Sequence, residues 1–247
     1  MVDQNLTNSF PTKSREEIVQ IRDKFYRHFC DITAEGLKIF GISEQDAHTR
    51  FKVTNPEILD PYFRDGQSVI IVGGHYNNWE MLAVGIDKFI KHDSVAIYHK
   101  LKNEFMNDKA LKSRSKYGLK MIARQEVKEH FENDEHVTAT IFGADQSPSM
   151  SKKVYWMDFL NQDTPVMFGV EKFAKEKDLP VFFGGIEKVK RGYYQLNLEL
   201  LVENPSQFEY GQITEAHTKR LEKQILAIPE YWLWSHRRWK RKRKEGE

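Results

Sequence analysis

Residues 68–72 read Ser-Val-Ile-Ile-Val and run straight into Gly73-Gly74. Four consecutive β-branched residues are too few for a helix, and they lack the polar alternation of a half-exposed strand. Such a run belongs inside a sheet covered on both faces, and the paired glycines demand a tight turn at its end. A strand of this kind fixes the fold class, because doubly covered strands occur in α/β proteins.

The rest of the chain agrees. Ser14-Arg15-Glu16-Glu17 has capping-box spacing, and Ile18, Ile21, Phe25, Phe29 and Ile32 then recur at three and four residues, so the pattern predicts an amphipathic helix over 15–40. Asn77 or Asn78 is placed to cap a helix through about residue 90. Strands are expected at 95–98, 120–122 and 137–142, with helices at 104–117 and from 127. Thr164-Pro165 opens a helix reaching about 177, since proline suits the first helical turn. A buried strand follows at 181–183, an exposed one at 193–201 paired through Arg191-Gly192, and a last helix at 214–226. Alternation of this kind predicts a single three-layer α/β domain with a mostly parallel central sheet flanked by helices. We place that domain at residues 1–236 and a basic tail at 237–247.

Composition narrows the class further. With 40% hydrophobic and 13% aromatic residues, the chain has the makings of a core and does not resemble a disordered or collagen-like polymer. Its single Cys30 cannot form an internal disulfide and reads as core filler on the first long helix rather than as a nucleophile. Nine scattered His and one Cys offer no ligand spacing for a metal, so neither metal nor cofactor is expected. No signal peptide and no stretch of about 18 apolar residues is present, which points to the cytosol or the cytosolic face of a membrane.

His75 follows the strand and the two glycines, at the carboxyl end where open α/β sheets place their binding crevices. A neutral imidazole there can accept a proton near neutral pH, and a carboxylate on its other nitrogen would fix the tautomer. Glu80 is the nearest carboxylate in sequence. Five residues on one continuous helix would turn the two side chains well apart, whereas a His75 sitting in the turn before the helix escapes that objection. Glu80 also fits a capping box with Asn77.

Gly74-His75 through Trp79-Glu80 resembles the H-x4-D/E motif of the glycerolipid acyltransferase superfamily, most closely the form in lipid A lauroyl and myristoyl acyltransferases. NLTNSFP at 5–11, RSKYGLKMIARQEV at 114–127, GADQSP at 143–148 and YWLWSHRRWK at 231–240 are similar to further blocks of that family and stand in its order. The resemblance implies a glycerolipid-acyltransferase-like fold. It also implies a reaction in which His75, oriented by Glu80, deprotonates a lipid hydroxyl that attacks the thioester of acyl carrier protein or coenzyme A. The acceptor implied is a lipid A precursor, with an aminolipid or lysophospholipid as the alternative. By the same resemblance Arg124 is a phosphate clamp, Asp145 and Gln146 support the acceptor site, and Arg114 is a further basic candidate. Read from the residues alone, Arg124 could equally be a surface arginine, and Asp145 could cap the turn before Pro148. The family usually carries an apolar anchor ahead of NLTNSFP and often Gly where Asn77 stands. Only Met1 to Gln4 precede the block here, which suggests an anchor removed or peripheral docking at the cytoplasmic face of the bacterial inner membrane.

The tail carries seven Lys/Arg against two Glu, a net of +5 set against −3 for residues 1–236. Interleaved with Tyr231, Trp232, Trp234 and Trp239, this charge suits anionic membrane lipid, although Trp232 and Trp234 could also belong to the core. Nucleic-acid binding is the rival from another class, but no RNP, KH or zinc-finger pattern accompanies the tract, and no nucleic-acid partner is expected. A hydrolase using water as acceptor is a third reading. No G-x-S-x-G nucleophile elbow is present, so a covalent serine intermediate is not expected.

Overall fold

The computed structural model describes residues 1–133, 136–149 and 153–243. Helices α1 (Val2–Ser9), α2 (Arg15–Lys38) and α3 (Glu44–Arg50) lead into strand β1 (Phe51–Val53) and a short α4 (Asp60–Arg64). Then β2 (Val69–Gly73), α5 (Trp79–Gly85), β3 (Asp93–Tyr98), α6 (Glu104–Arg114), β4 (Lys120–Ala123), α7 (Val127–Asn133) and β5 (Thr138–Gly143) alternate as the periodicity predicts. β6 (Val154–Phe159), β7 (Gln162–Met167), α8 (Gly169–Lys177), β8 (Val181–Lys190), β9 (Tyr193–Val202) and α9 (Gln212–Ala227) complete the set.

Seven strands form one sheet in the order β1-β9-β8-β2-β5-β3-β4, in which only β8 and β9 pair antiparallel. β2 lies at its centre, and its pleat sends alternate residues to opposite layers. Val69 and Ile71 join the core beneath α2, α3 and α5, while Ile70 and Val72 join the one beneath α8 and α9. That double burial is why the run at 69–72 contains no polar residue.

The capping box on α2 forms as its spacing predicts, with Ser14 Oγ accepting from Glu17 N and the Glu17 side chain accepting from Ser14 N. Cys30 is exposed and is not core. It lies five residues past Phe25, off the stripe, and His28 takes the buried place beside Ile32. The helix expected from Thr164-Pro165 begins only at Gly169. Residues 162–167 instead form β7, antiparallel to β6 through Leu160-Asn161, both at positive φ of 52° and 58°. Two left-handed residues make the primed turn that joins twisted strands, and Pro165 is tolerated because a two-stranded ribbon has free edges.

The aromatic segment before the tail, and three residues of the tail itself, lie inside the molecule, while Arg237, Lys240, Lys242 and Arg243 are exposed. Trp232, Trp234, Arg238, Trp239 and Arg241 are buried, and the rings join Leu6, Phe10, Ile18 and Phe25 of the N-terminal helices in one core. Asn5 Nδ2 donates to the carbonyls of Trp234 and His236, tying the first helix to this segment. Residues 244–247 of the expected tail lie outside the described residues. Among the described residues no helix is long and apolar enough to cross a membrane.

Candidate active site

β2 ends at Gly73, and the chain turns through Gly74 and His75 before Asn78 caps α5. His75 therefore stands in the turn rather than on the helix. Asn77 takes a left-handed φ of 57°, a conformation asparagine tolerates better than most non-glycine residues. Its Nδ2 donates to the Ile186 carbonyl at 2.9 Å. Asn78 Oδ1 accepts from Met81 N, and its Nδ2 donates to Glu35 at 2.7 Å, fastening the start of α5 to α2. Gly143 leaves room for the imidazole, because a Cβ there would stand 3.2 Å from His75 Cε1.

The carboxylate on His75 is Asp145. Its Oδ1 lies 2.7 Å from His75 Nδ1, while Oδ2 accepts the His75 backbone N–H and the Trp232 indole N–H, each at 2.8 Å. Sheet register explains the meeting. β2 and β5 run parallel with Gly73 opposite Gly143, so the residues two places beyond each strand arrive side by side. Glu80 is turned elsewhere, forming a forked ion pair with Arg114, whose Nε donates to Glu80 Oε2 at 2.8 Å. Gln146 Nε2 sits 3.3 Å from the outer nitrogen of His75, and the Trp79 ring meets the imidazole edge to face at 5.0 Å.

Charge follows from these contacts. Burial alone would push the Asp145 carboxyl up, but the His75 charge, its two hydrogen bonds and the Trp232 indole outweigh it and hold the group at about 2. Burial alone would lower His75. The charge and hydrogen bond of Asp145, helped by the more distant Glu80 and opposed by Arg114, leave the imidazole above its ordinary value. In its neutral form the ring carries its one proton on Nδ1, against the carboxylate, and leaves Nε2 as the acceptor facing the site.

Trp232 is the site residue that sequence reasoning treated only as membrane-facing or core. It lies in a segment that pairs with the turn carrying His75: Tyr76 bridges Trp232, Leu233 N donates to the His75 carbonyl at 3.1 Å, and Asn77 N donates to the Tyr231 carbonyl at 2.9 Å. One link further, His236 Nε2 accepts from Ser147 N at 3.0 Å, holding the GADQSP loop. Arg124 follows directly after β4, with its backbone N–H on the Tyr98 carbonyl. Strands β5 and β3 separate it from β2, which puts it roughly 14 Å along the same edge of the sheet from His75 at the usual strand spacing. So the structure gathers His75, Asp145 and Gln146, sets Glu80 and Arg114 beside them as a pair, and leaves Arg124 at the far end of the edge.

Beside Glu80 opens a groove of about 330 Å³ between α2 and α6, lined by Phe29, Ile32, Leu37, Phe40, Trp79 and Arg114 among others. Trp79, whose ring packs on His75, forms part of its wall, and a mostly apolar groove of this kind suits a substrate with a long hydrocarbon chain.

The sequence matches the family described as bacterial lipid A biosynthesis acyltransferase, over residues 1–241. The chain belongs to that family. It is an acyltransferase of lipid A biosynthesis, and the match takes in every residue of the site just described. A search of curated proteins returned no match. In this acyltransferase the H-x4-E motif does not act as one contact pair: its histidine is held by Asp145 and its glutamate by Arg114.

Proposed function

We propose that this lipid A acyltransferase moves a fatty acyl group from an acyl carrier protein or coenzyme A thioester to a hydroxyl of a lipid A precursor, with His75 as general base. The observation that carries this reading is the 2.7 Å contact between His75 Nδ1 and Asp145, which fixes the ring with Nε2 outward. The acceptor hydroxyl gives its proton to Nε2 as its oxygen attacks the thioester carbonyl. The thiolate then leaves, taking a proton from His75. Asp145 stays ionised and supports the imidazolium formed between these two transfers.

Gln146 is placed to steer a group arriving at Nε2. The oxyanion takes its donors from elsewhere than the two amides after His75, because Tyr76 N and Asn77 N are already committed to the carbonyls of Gly74 and Tyr231. Glu80 acts on His75 through its charge and holds Arg114 at the groove wall. Arg124, at the far end of the same edge, suits a phosphate of a large anionic acceptor.

The test is a His75→Ala variant assayed with labelled acyl thioester. It should fold by circular dichroism and transfer nothing, and retained transfer would refute the mechanism. Thioester hydrolysis at full rate without acceptor would make the protein a hydrolase instead. Mass spectrometry of lipids from a deletion strain would then name the acceptor by its missing acyl chain.

A further inference from the structure

Of the exposed large apolar side chains among the described residues, five fall at the end of α2 and around the start of α6, the two helices that wall the groove. Leu37 and Phe40, at the end of α2, are 69% and 50% exposed although both line the groove. Leu101, just before α6, and Phe105 and Met106 in its first turn are 48%, 67% and 49% exposed. Helical spacing joins these groups. Met106, Ala110 and Ser113 with Arg114 follow one another at four, three and four residues, and the last three line the groove, so Met106 extends that wall outward by one turn.

The apolar rim is ringed with positive charge. Lys38, Lys100, Lys102, Lys109 and Lys112 are all exposed and none has an ion-pair partner among the described residues, while only Glu104 and Asp108 on α6 oppose them. Lys109 Nζ lies over the Phe105 ring at 5.4 Å, so cation and ring project from the same patch. Side chains of this mixture rest at a headgroup boundary, with rings towards the acyl layer and ammonium heads among the phosphates. An acidic carrier protein would answer the lysines but not two large side chains at 67% and 69% exposure.

We propose that this rim, and not the C-terminal basic tract, is the surface on which the acyltransferase sits on an anionic bilayer, with the groove opening into the leaflet. A lipid acceptor then feeds a chain along the groove towards His75 without leaving the membrane. That use rests on the acyl-transfer reading above, but the docking itself does not.

Flotation of the full chain with phosphatidylglycerol-phosphatidylcholine vesicles tests the docking without turnover. The Leu101→Ser/Phe105→Ser variant, altered outside the groove lining, should lose about tenfold or more of the bound fraction, because moving one such side chain from water to hydrocarbon is worth that factor. Replacing Lys100, Lys102, Lys109 and Lys112 by Gln should erase the preference over pure phosphatidylcholine vesicles. A Val189→Ser/Leu226→Ser variant, which removes exposed side chains on β8 and α9, should float like the wild type. His75→Ala should float normally too, so failure of the mechanism and failure of the docking surface are read separately. Wild-type flotation by the Leu101/Phe105 variant, or equal loss in the Val189/Leu226 variant, would overturn the proposal. If the lysine variant floats normally but no longer accepts acyl groups from the carrier protein, the patch is a carrier dock and the proposal is wrong.

Discussion

Asp145 decides how the site works, because one carboxylate holds the imidazole tautomer, the His75 backbone and the Trp232 indole together. Asp145→Asn keeps the shape but leaves an amide whose NH2 can face Nδ1 and turn the ring's proton to Nε2. We expect kcat to fall by about 10²–10⁴, the range for losing a positioned general base, with circular dichroism unchanged. In the wild type, the raised His75 value means the base is disabled as pH falls through a midpoint above 6.5, and a rate profile with its acid limb below that value would contradict the pairing. Stability runs with the opposite partner. Asp145 is depressed from 3.8 to about 2, so its contribution is full above the unfolded value and drains as pH falls between them, and the Asn variant should lack that part of the acid transition. Glu80→Gln removes a charge that supports His75 and frees Arg114 in the groove, so its acid limb should move to lower pH, a change a purely structural contact would not produce. His75 could be read from the sequence because strand, glycines and histidine are contiguous. Its carboxylate could not, since the nearest one in sequence is Glu80 and the partner lies 70 residues away, brought in by the register of β2 with β5.

At the scale of elements, the chain was legible wherever a segment spells out its own burial. β2, α2 with its capping box and the alternating units from β3 to α7 all appear near their expected positions. The failures came where distant contacts decide. Thr164-Pro165 has the look of a helix start, yet residues 162–167 pair with 154–159, and the Pro165 carbonyl receives the buried Arg238 guanidinium at 2.8 Å. Asp178 shows a position where local conformation is unfavourable: it closes α8 in the left-handed region at φ 49° while exposed. Asp178→Gly removes the Cβ cost, and we expect a gain of about 1 kcal/mol in stability, measured by urea unfolding. An unchanged or lower midpoint would mean that the aspartate side chain contributes something its exposure hides.

Residues 2–25 and 232–239 share one core. Trp234 is fully buried among α1, α2 and the segment before it, so Trp234→Ala should cost about 3–5 kcal/mol and lower Tm by roughly 10 °C. A loss of only a degree or two would show that the N-terminal helices and this segment do not share a core. Arg238, also buried, is pulled down to about 10 by desolvation against the opposing charge of Asp145, so part of the basic tract is spent inside the protein rather than on a partner. Composition could not reveal this, because a run of arginines and tryptophans reads the same whether it lies on a surface or threads a core. The clasp of residues 231–239 over the turn at His75 also sets an order of events during synthesis. Strands and most helices can leave the ribosome and pair while His75 still lacks the Leu233 and Trp232 contacts that hold its turn and its aspartate. The growing chain therefore passes through a stage in which its sheet can be shaped while the turn at His75 is still unheld, until residues 231–239 are added.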